Sequence, residues 1–553
     1  MKCILIIFIY LGCATLSYCS HPEPKEYFVR SCEFVCDYPF SDTSKWVITC
    51  RVWGLLKYYH PNVTAGKLDW DKVLLDRLDG IESSSTPEMV DTELKKMLTA
   101  AGEYDCKKDT TWDDSLNMNV NLCWIDHSFL DEPLKNELKK ISSLAVKYPS
   151  YYGMDINTVR RSFLPQHEKT YDDINIYTSF EYRLLALFRY WNVIYYFYPH
   201  KYLMDKSWDK TIAESIFPFI KATNEQSYKI AFLKLAASLN DGHAFINFGN
   251  YYPDESHDII EKVDGKTISR IDAGEIKKGD IINCIGERNI NLIRDSLSVL
   301  IPASTQGNKE YRINCSLAEM IFFHETDITV LRNGNERKVH IQPVSFEKKN
   351  FLCPYKDISD NTGYVDLSIL TTDQIDLMFQ YFSNAKSIIF DLRKAGSYNF
   401  DLNALYCHLS NKKNIQLFNA IIFDLEHPGA FWWKQNTYTD IPDGCNRFSG
   451  KIVFLVNEFT QSSLETITWV VHNNFHATLI GRTTSGALGQ VVWIPLPGNQ
   501  SAAFSGFGLF SLDKIGLQRK GIIPDLEVYP TVESIKDGKD EILDKAIEYI
   551  NNH

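Results

Sequence analysis

The pattern of apolar and polar positions is most informative between residues 451 and 490. The apolar run at 452–456 has the length and β-branched richness of a buried strand. A small polar segment follows, and then apolar residues recur at helical spacing, namely Leu464, Ile467, Val470 and Val471. A second apolar run at 478–480 leads into a glycine-rich loop. The pattern predicts strand, polar turn and helix, and α/β folds place chemistry at such turns because they lie at the carboxyl edge of the sheet.

Two serines stand where this predicted helix begins. The free amides of a helix N-terminus stabilise an anion, so Ser462 is a candidate nucleophile. A second interpretation is that Ser462 and Ser463 only cap the helix, as serines at helix starts usually do.

A weak internal repeat marks the N-terminal half. RVWGLLKYYHPN, from Arg51, returns in outline as LFRYWNVIYYFYPHK, from Leu187, and each copy is followed by Trp-Asp-Lys, at Trp70 and Trp208. Both copies have aromatic and aliphatic residues at helical spacing before a proline that ends the helix. The repeat predicts two related helical units on either side of a linker-like stretch at 126–173, with their tyrosines filling a core.

The second unit continues as a predicted helix over residues 212–239 and ends in Asn-Asp-Gly, which is a strong turn signal. His243 therefore stands on a turn before a short predicted strand at 244–248. A lone histidine at a turn is most often an ordinary hydrogen-bonding residue. His243 becomes a candidate for catalysis only if a reactive group lies nearby.

Short strands and turns dominate residues 257–344. The Lys-Gly-Asp-Ile-Ile run at 278–282, followed by Ile285-Gly286-Glu287, resembles the PDZ domain, whose edge strand captures an extended peptide. A generic small barrel is the alternative.

From residue 363 the pattern changes to strand, helix and strand, with a helix at 373–384 and a strand at 387–392. This order is typical of a mostly parallel sheet covered by helices. A last amphipathic helix is predicted at 541–550.

Composition narrows the function classes. The 553 residues suffice for several domains. A formal net charge of -12, without any lysine- or arginine-rich tract, argues against a nucleic-acid partner. Cys32 and Cys36 lack a second pair at metal-ligand spacing, so no metal is predicted.

The first residues have the composition of an export signal. Lys2 is followed by an apolar stretch at 4–11 and then by small residues. The stretch is too short for a resident membrane span. Cys13 or Cys19 could be the lipid-modified cysteine of a bacterial lipoprotein, although neither matches that motif well. Export would permit disulfides, but their connectivity cannot be deduced from sequence.

Six motifs in order resemble the tail-specific, or C-terminal-processing, serine peptidases, a family that includes tricorn. They are Asp241-Gly242-His243, Lys278-Gly279-Asp280, Phe390-Asp391-Leu392-Arg393, Thr460-x-Ser462-x-x-Glu465, Gly481-x-Thr483-x-x-Gly486 and Gly521-x-x-Pro524-Asp525. The resemblance implies a multidomain α/β protein with a crotonase/ClpP-like α/β peptidase core, a PDZ-like β-rich module and N-terminal helical units. The implied divisions are a signal at 1–19, helical units at 20–165 and 166–255, the PDZ-like module at 256–345 and the core at 346–553.

The resemblance also implies a catalytic scheme. In the processing branch the base is a lysine of the glycine-rich loop, but the matching position is Ala487 and residues 481–490 contain no lysine. The tricorn-like exported bacterial branch uses a histidine instead, and His243 falls at that position. An imidazole suits the task because its pKa lies near neutrality.

Supporting groups follow from the same comparison of motifs. A glutamate that orients the histidine in tricorn-like enzymes is matched by Gln518, which can form a hydrogen bond but carries no charge. Asp241 could orient the ring instead, and Glu465 is another candidate support. The oxyanion hole is expected from the amides of Ser463 and Gly396.

Two functions remain open at this stage. The first is a serine endopeptidase exported to the periplasm, outer membrane or exterior of a bacterium, acting on peptides or proteins without a cofactor. The second is an impaired relative that binds peptides or hydrophobic ligands, a reading suggested by Gln518. An α/β-hydrolase esterase is disfavoured because no Gly-x-Ser-x-Gly surrounds Ser462.

Overall fold

A computed structural model describes residues 37–104, 116–144, 146, 149–157, 162–248, 258–344, 353–394, 398–410, 412–434, 438–442 and 444–552. The predicted export signal, with Cys13 and Cys19, lies outside the described residues. So do Cys32, Cys36 and the predicted oxyanion residue Gly396.

The N-terminal half is mainly helical. Its helices are α1 (Asp42–Tyr59), α2 (Pro61–Thr64), α3 (Trp70–Leu75), α4 (Leu78–Ser83), α5 (Pro87–Ala101), α6 (Glu132–Ser142), α7 (Phe180–Phe197), α8 (Trp208–Ile220) and α9 (Glu225–Ala237). Its short strands are β1 (Asn117–Met118), β2 (Met154–Asn157), β3 (Ser162–Pro165) and β4 (Phe245–Asn247). Almost every residue of α1 and α7 is buried, which explains why apolar and aromatic residues occur on all faces of these helices.

The two copies of the repeat make matching contacts. In the first copy the indole N–H groups of Trp53 and Trp70 each donate to the other's backbone carbonyl, at 3.2 and 3.0 Å. In the second copy Trp191 and Trp208 do the same, at 3.2 and 3.0 Å. Reciprocal bonds of this kind fix α1 against α3 in the first unit and α7 against α8 in the second.

Buried ion pairs cross between the two copies. Arg51 Nη2 lies 2.6 Å from Asp209, and Arg189 Nη2 lies 2.6 Å from Asp71. Each arginine therefore finds a counter-charge in the other unit, and Arg189 Nε also lies 2.8 Å from Glu168 of its own unit. Since a buried charge without a partner is costly, the two units depend on each other for stability.

A β-rich module follows, with strands β5 (Ile260–Val263), β6 (Lys266–Ser269), β7 (Ile281–Ile285), β8 (Arg288–Asn289), β9 (Thr326–Arg332) and β10 (Asn335–Ile341). Its antiparallel sheet has the order β10-β9-β7-β6-β5, with β8 on β7. Two helices lie within this module, α10 (Ile290–Ser298) and α11 (Gln306–Phe322), and the sequence reading missed both. The spacing of the buried Ile313, Leu317 and Ile321 in α11 was the available signal.

The C-terminal part is an α/β core. Its strands are β11 (Tyr355–Ser359), β12 (Thr362–Asp366), β13 (Ser387–Asp391), β14 (Asn414–Gln416), β15 (Asn419–Phe423), β16 (Ala430–Lys434), β17 (Tyr438–Asp440), β18 (Lys451–Val456), β19 (Thr478–Gly481), β20 (Val491–Leu496), β21 (Gln500–Ser505), β22 (Gly508–Phe510) and β23 (Leu526–Glu527). Its helices are α12 (Thr372–Tyr381), α13 (Leu402–Leu409), α14 (Ser463–Phe475), α15 (Val532–Asp537) and α16 (Glu541–Asn552).

The central sheet of this core has the order β11-β12-β13-β18-β19-β23. Every pair in it is parallel except β11 with β12. Apolar side chains fill both faces of the sheet, under α12 and α14 on one side and under α16 on the other. The strand and the helix predicted on either side of Ser462 are confirmed as β18 and α14, and the second apolar run at 478–480 forms β19.

A second sheet joins the helical half to the core, with the order β2-β3-β20-β21-β4. Strand β4 comes directly after the turn that carries His243, and it pairs antiparallel with β21, Phe245 opposite Ala503. Because β21 ends at Ser505, this register brings the His243 turn to the end of β21.

Two sequence predictions in the helical half were wrong. The single helix expected over 212–239 is two helices, α8 and α9, because Asn224 starts a new helix by accepting a hydrogen bond from Ser227 N at 2.9 Å. The expected linker at 126–173 contains α6, β2 and β3 and packs as part of the fold.

A disulfide joins Cys407 to Cys445 within the core. Among the described residues, no helix combines the length and the apolar character that a membrane span requires.

Candidate active site

Ser462 lies on the tight turn between β18 and α14. Its backbone has φ 58° and ψ -115°, a conformation that is strained for any residue with a side chain. Its N–H donates to the carbonyl of Ala487 at 3.0 Å, and its carbonyl accepts from Thr466 N at 3.0 Å. The half-buried Ser462 is thus held rigidly at the carboxyl end of a central strand, as strained functional residues usually are.

The amide of Ser463 is the first inside α14. Within the described part of the chain, this N–H has no backbone or side-chain acceptor. A free amide at the start of a helix can receive a developing oxyanion. The other amide predicted for this role, that of Gly396, lies outside the described residues.

His243 follows the Asp241-Gly242 turn and is only 6% exposed. Its Nδ1 lies 2.8 Å from Ser505 Oγ. Its Nε2 is buried and has no hydrogen-bond partner among the described residues. Burial lowers the pKa of His243 below its ordinary value; Asp241 opposes this effect and Arg312 adds to it. A neutral imidazole with one unoccupied nitrogen is suited to accept a proton.

The turns that carry the two candidates are in direct contact. Gln461 Nε2 donates to the carbonyl of Gly242 at 3.3 Å, across 219 residues of sequence. Arg312, on α11, donates both to this carbonyl and to Gln461 Oε1, the latter at 3.0 Å. Gln461, next to Ser462, therefore contacts Gly242, next to His243. Arg312 of the β-rich module binds both residues.

Glu465 lies behind the nucleophile turn rather than beside His243. Its carboxylate accepts hydrogen bonds from Thr484 Oγ1 at 2.5 Å, Gly486 N at 2.7 Å and Ala487 N at 3.0 Å, and a longer one from Ser462 N at 3.3 Å. Burial raises the pKa of Glu465 to about 7, against the effect of these four donors. Glu465 thus ties the glycine-rich loop to the turn.

Gln518 contacts the base only through other residues. Its Oε1 accepts from Leu488 N at 3.1 Å, and its Nε2 donates to Asp241 Oδ1 at 3.0 Å and to Ser304 Oγ at 3.4 Å. The described residues show no hydrogen bond from Gln518 to His243.

The group that does contact the ring is Ser505, which the sequence reading missed. Its hydroxyl donates to Asp241 Oδ1 at 2.8 Å and its amide donates to Asp241 Oδ2 at 2.7 Å. Ser505 ends an alternating strand, and nothing local distinguishes it from other strand serines. Its partner His243 is 262 residues away, so only the pairing of β4 with β21 reveals the contact.

In the parts of the chain that the structure describes, no three His, Cys, Asp or Glu side chains come together as metal ligands would. Ala487 is fully buried in its loop and offers no amine to the site.

Comparison with known proteins finds a family whose model matches part of the chain. Residues 361–528 match the model of Peptidase family S41. A search of the curated proteins finds no match.

Several solved structures are similar. Mature CPAF complexed with lactacystin has a TM-score of 0.52 at 15% identity, over 68% of this chain and 99% of that chain. Mature CPAF without that compound has a TM-score of 0.52 at 15% identity, over 68% of this chain and 98% of that chain. The photosystem II D1 C-terminal processing protease, at a TM-score of 0.37 and 14% identity over 65% and 98%, is too distant to carry an argument. The two CPAF structures support a mixed α/β multidomain fold.

The family match covers the strand, turn and helix around Ser462 and the glycine-rich loop held by Glu465. The resemblance to the tail-specific and C-terminal-processing peptidases drawn from the motifs is thereby confirmed: residues 361–528 match Peptidase family S41, and the findings support a serine-type peptidase.

Proposed function

We propose that the protein hydrolyses peptide bonds with Ser462 as the nucleophile and His243 as the general base. The observation that carries this proposal is the contact of Gln461 with Gly242, because it joins two distant motifs at the residues next to the proposed pair. The buried, unoccupied Nε2 of His243 supports the same assignment.

The chemistry would proceed in two halves. His243 Nε2 takes the proton of Ser462 Oγ while the oxygen attacks the substrate carbonyl. The Ser463 amide donates to the oxyanion, with the Gly396 amide as the proposed second donor. The imidazolium then gives its proton to the leaving amine, and a water molecule releases the acyl group by the same route.

A lysine base fits this chain poorly. Ala487 occupies the position of the lysine, and the loop around it is anchored by hydrogen bonds from Gly486 N and Ala487 N to Glu465. We assign Glu465 a positioning role, since its oxygens face amides and the Thr484 hydroxyl rather than the imidazole.

We extend the proposal to the organisation of the chain. The antiparallel sheet with α10 and α11 supports a PDZ-like module at 256–345, and the parallel sheet supports a crotonase/ClpP-like peptidase core at 346–553. Two helical units, at 20–165 and 166–255, would precede them. The apolar stretch after Lys2 supports a signal at 1–19 and export to the periplasm, outer membrane or exterior of a bacterium.

The test is peptide cleavage by purified variants. Ser462→Ala and His243→Ala should each reduce turnover by several orders of magnitude, while circular dichroism and thermal unfolding match the wild type. Wild-type turnover in either variant would refute the assignment.

The alternative of a peptide-binding relative rests on the neutral Gln518. It would gain support if wild-type protein bound peptides tightly, left them intact and failed to react at Ser462.

A further inference from the structure

We propose that Ser505 and Asp241 together replace the orienting carboxylate of the base, with the Ser505 hydroxyl relaying the charge of Asp241 to His243. This inference rests on the proposed function, because it assigns positioning residues for the same base. It concerns a strand serine and a turn aspartate that come together only through the pairing of β4 with β21.

The direction of each hydrogen bond between Asp241, Ser505 and His243 follows from the number of hydrogens that these groups can donate. An ionised carboxylate only accepts, so the single hydrogen of the Ser505 hydroxyl points to Asp241 Oδ1, 2.8 Å away. Ser505 Oγ must then accept from His243 Nδ1, 2.8 Å away. The hydrogen of the neutral imidazole is therefore on Nδ1, and Nε2 carries the free lone pair. This is the tautomer that a general base needs.

The Asp241 carboxylate is itself held firmly. Besides the Ser505 hydroxyl it accepts from Ser505 N at 2.7 Å, His243 N at 3.0 Å and Gln518 Nε2 at 3.0 Å. The side chain is fully buried, so its charge acts through a medium of low dielectric constant. A negative charge in this position stabilises the imidazolium that forms when Nε2 takes a proton.

Gln518 has a definite task in this scheme. It holds Asp241 and Leu488 N, and it leaves the ring to Ser505. A glutamate at position 518 would put a second buried carboxylate beside Asp241, and two such charges repel each other. A neutral amide at this position is thus the natural partner of a charged Asp241.

No proton needs to leave His243 Nδ1 during the cycle. Nε2 receives the proton of Ser462 Oγ and later gives it to the leaving amine, while the Nδ1–H bond to Ser505 Oγ is kept throughout. Ser505 keeps its own hydrogen on the side of Asp241. The relay therefore orients and polarises the imidazole through hydrogen bonds, without any proton transfer between Asp241, Ser505 and His243.

The relay predicts specific changes in pH dependence. The charged or titratable groups that act on His243 are Asp241 on its own turn, Arg312 on α11 and His200 after α7. Burial lowers the pKa of His200 to about 4, so His200 stays neutral across the range of the assay. Glu465, with a pKa of about 7, also titrates in this range, so the acid limb of kcat/KM is assigned to His243 by its shift when Asp241 is replaced.

The experiment compares Ser505→Ala, Asp241→Asn and the double variant by kcat/KM against pH. Ser505→Ala should lower the plateau value of kcat/KM on the order of 10- to 100-fold, which corresponds to the loss of one hydrogen bond to a charged group. Asp241→Asn should lower it further and move the acid limb to lower pH, since Asp241 raises the pKa of His243. In the Ser505→Ala background the additional effect of Asp241→Asn should be much smaller.

Ser387→Ala is the matched control, because Ser387 is a buried strand serine outside the proposed site, and its hydroxyl bonds Thr362 Oγ1 at 3.0 Å and Asn361 O at 3.4 Å. It should leave the rate and the pH profile unchanged. Additive effects of the two site variants, or a Ser505→Ala profile like that of the control, would overturn the relay. If the wild type neither cleaves peptides nor reacts at Ser462, the proposed function fails instead.

Discussion

Gly242, in the turn that carries His243, lies against the loop that supports Ser462. The substitution Gly242→Ala therefore tests how closely these two parts of the site must approach each other. A Cβ at this position would lie 2.8 Å from Ala487 Cβ and 3.2 Å from Ser485 Oγ. Non-bonded carbon atoms prefer about 3.5 to 4.0 Å. Since Ala487 also accepts the hydrogen bond of Ser462 N, the added methyl presses directly on the support of the nucleophile.

The turns must then move apart by about 1 Å to restore normal contact. A misplacement of this size costs a catalytic constellation on the order of 100-fold in rate. The stability cost of such overpacking is about 1–3 kcal/mol. We therefore expect Gly242→Ala to lose far more activity than stability.

The assay is kcat/KM on a fluorogenic peptide together with urea unfolding. Adding Ala487→Gly to Gly242→Ala removes the closest contact and should restore most of the activity. Gly516→Ala is the control, because its Cβ would meet Phe510 at an ordinary 3.4 Å. Activity of Gly242→Ala within about threefold of the wild type, or no rescue by Ala487→Gly, would refute the proposed closeness of the two turns.

Three further predictions follow from other parts of the molecule. At pH 8, where Glu465 is ionised because its pKa is about 7, Glu465→Gln should lower the free energy of unfolding by about 2–4 kcal/mol, since an amide group cannot accept the donors on both oxygens; urea unfolding that matched the wild type would contradict this. The kcat/KM of the wild type should rise through an acid limb below about pH 6.5, the ordinary value for histidine, because burial lowers the pKa of His243; a limb above 7 would argue against His243. Asp71→Ala leaves two buried cations, Arg189 and Lys57, to share the single carboxylate of Glu168 and should lower the free energy of unfolding by about 3–5 kcal/mol, while the folded fraction keeps its specific activity; a change below about 1 kcal/mol, the range of exposed pairs, would show that the crossed ion pairs contribute little.

The sequence was most predictive where the pattern is local. The buried strand before Ser462 and the amphipathic helix after it follow directly from hydrophobic spacing, and the strand was predicted within one residue of its observed bounds. The family also followed from short motifs, because each motif is a turn with fixed residue requirements. The break between α8 and α9 was missed although the sequence marks it, with an all-polar run at 223–227 that contains the Asn224 cap.

The supports of the site were beyond a local reading. Ser505 and Arg312 contact residues far away in the chain, and only strand pairing and the position of α11 bring them there. Gln518 was expected at the imidazole because of its motif position, whereas its amide bonds Asp241 and Leu488 N. Such contacts depend on tertiary packing that no spacing along the chain records.

The central claim is that Ser462 is a nucleophile activated by His243. Its most direct test is to react the full chain with a fluorophosphonate probe and to identify the modified residue by mass spectrometry. The account predicts a single adduct on Ser462 that His243→Ala greatly slows. An unreacted Ser462, or labelling that His243→Ala leaves at the wild-type rate, would contradict it.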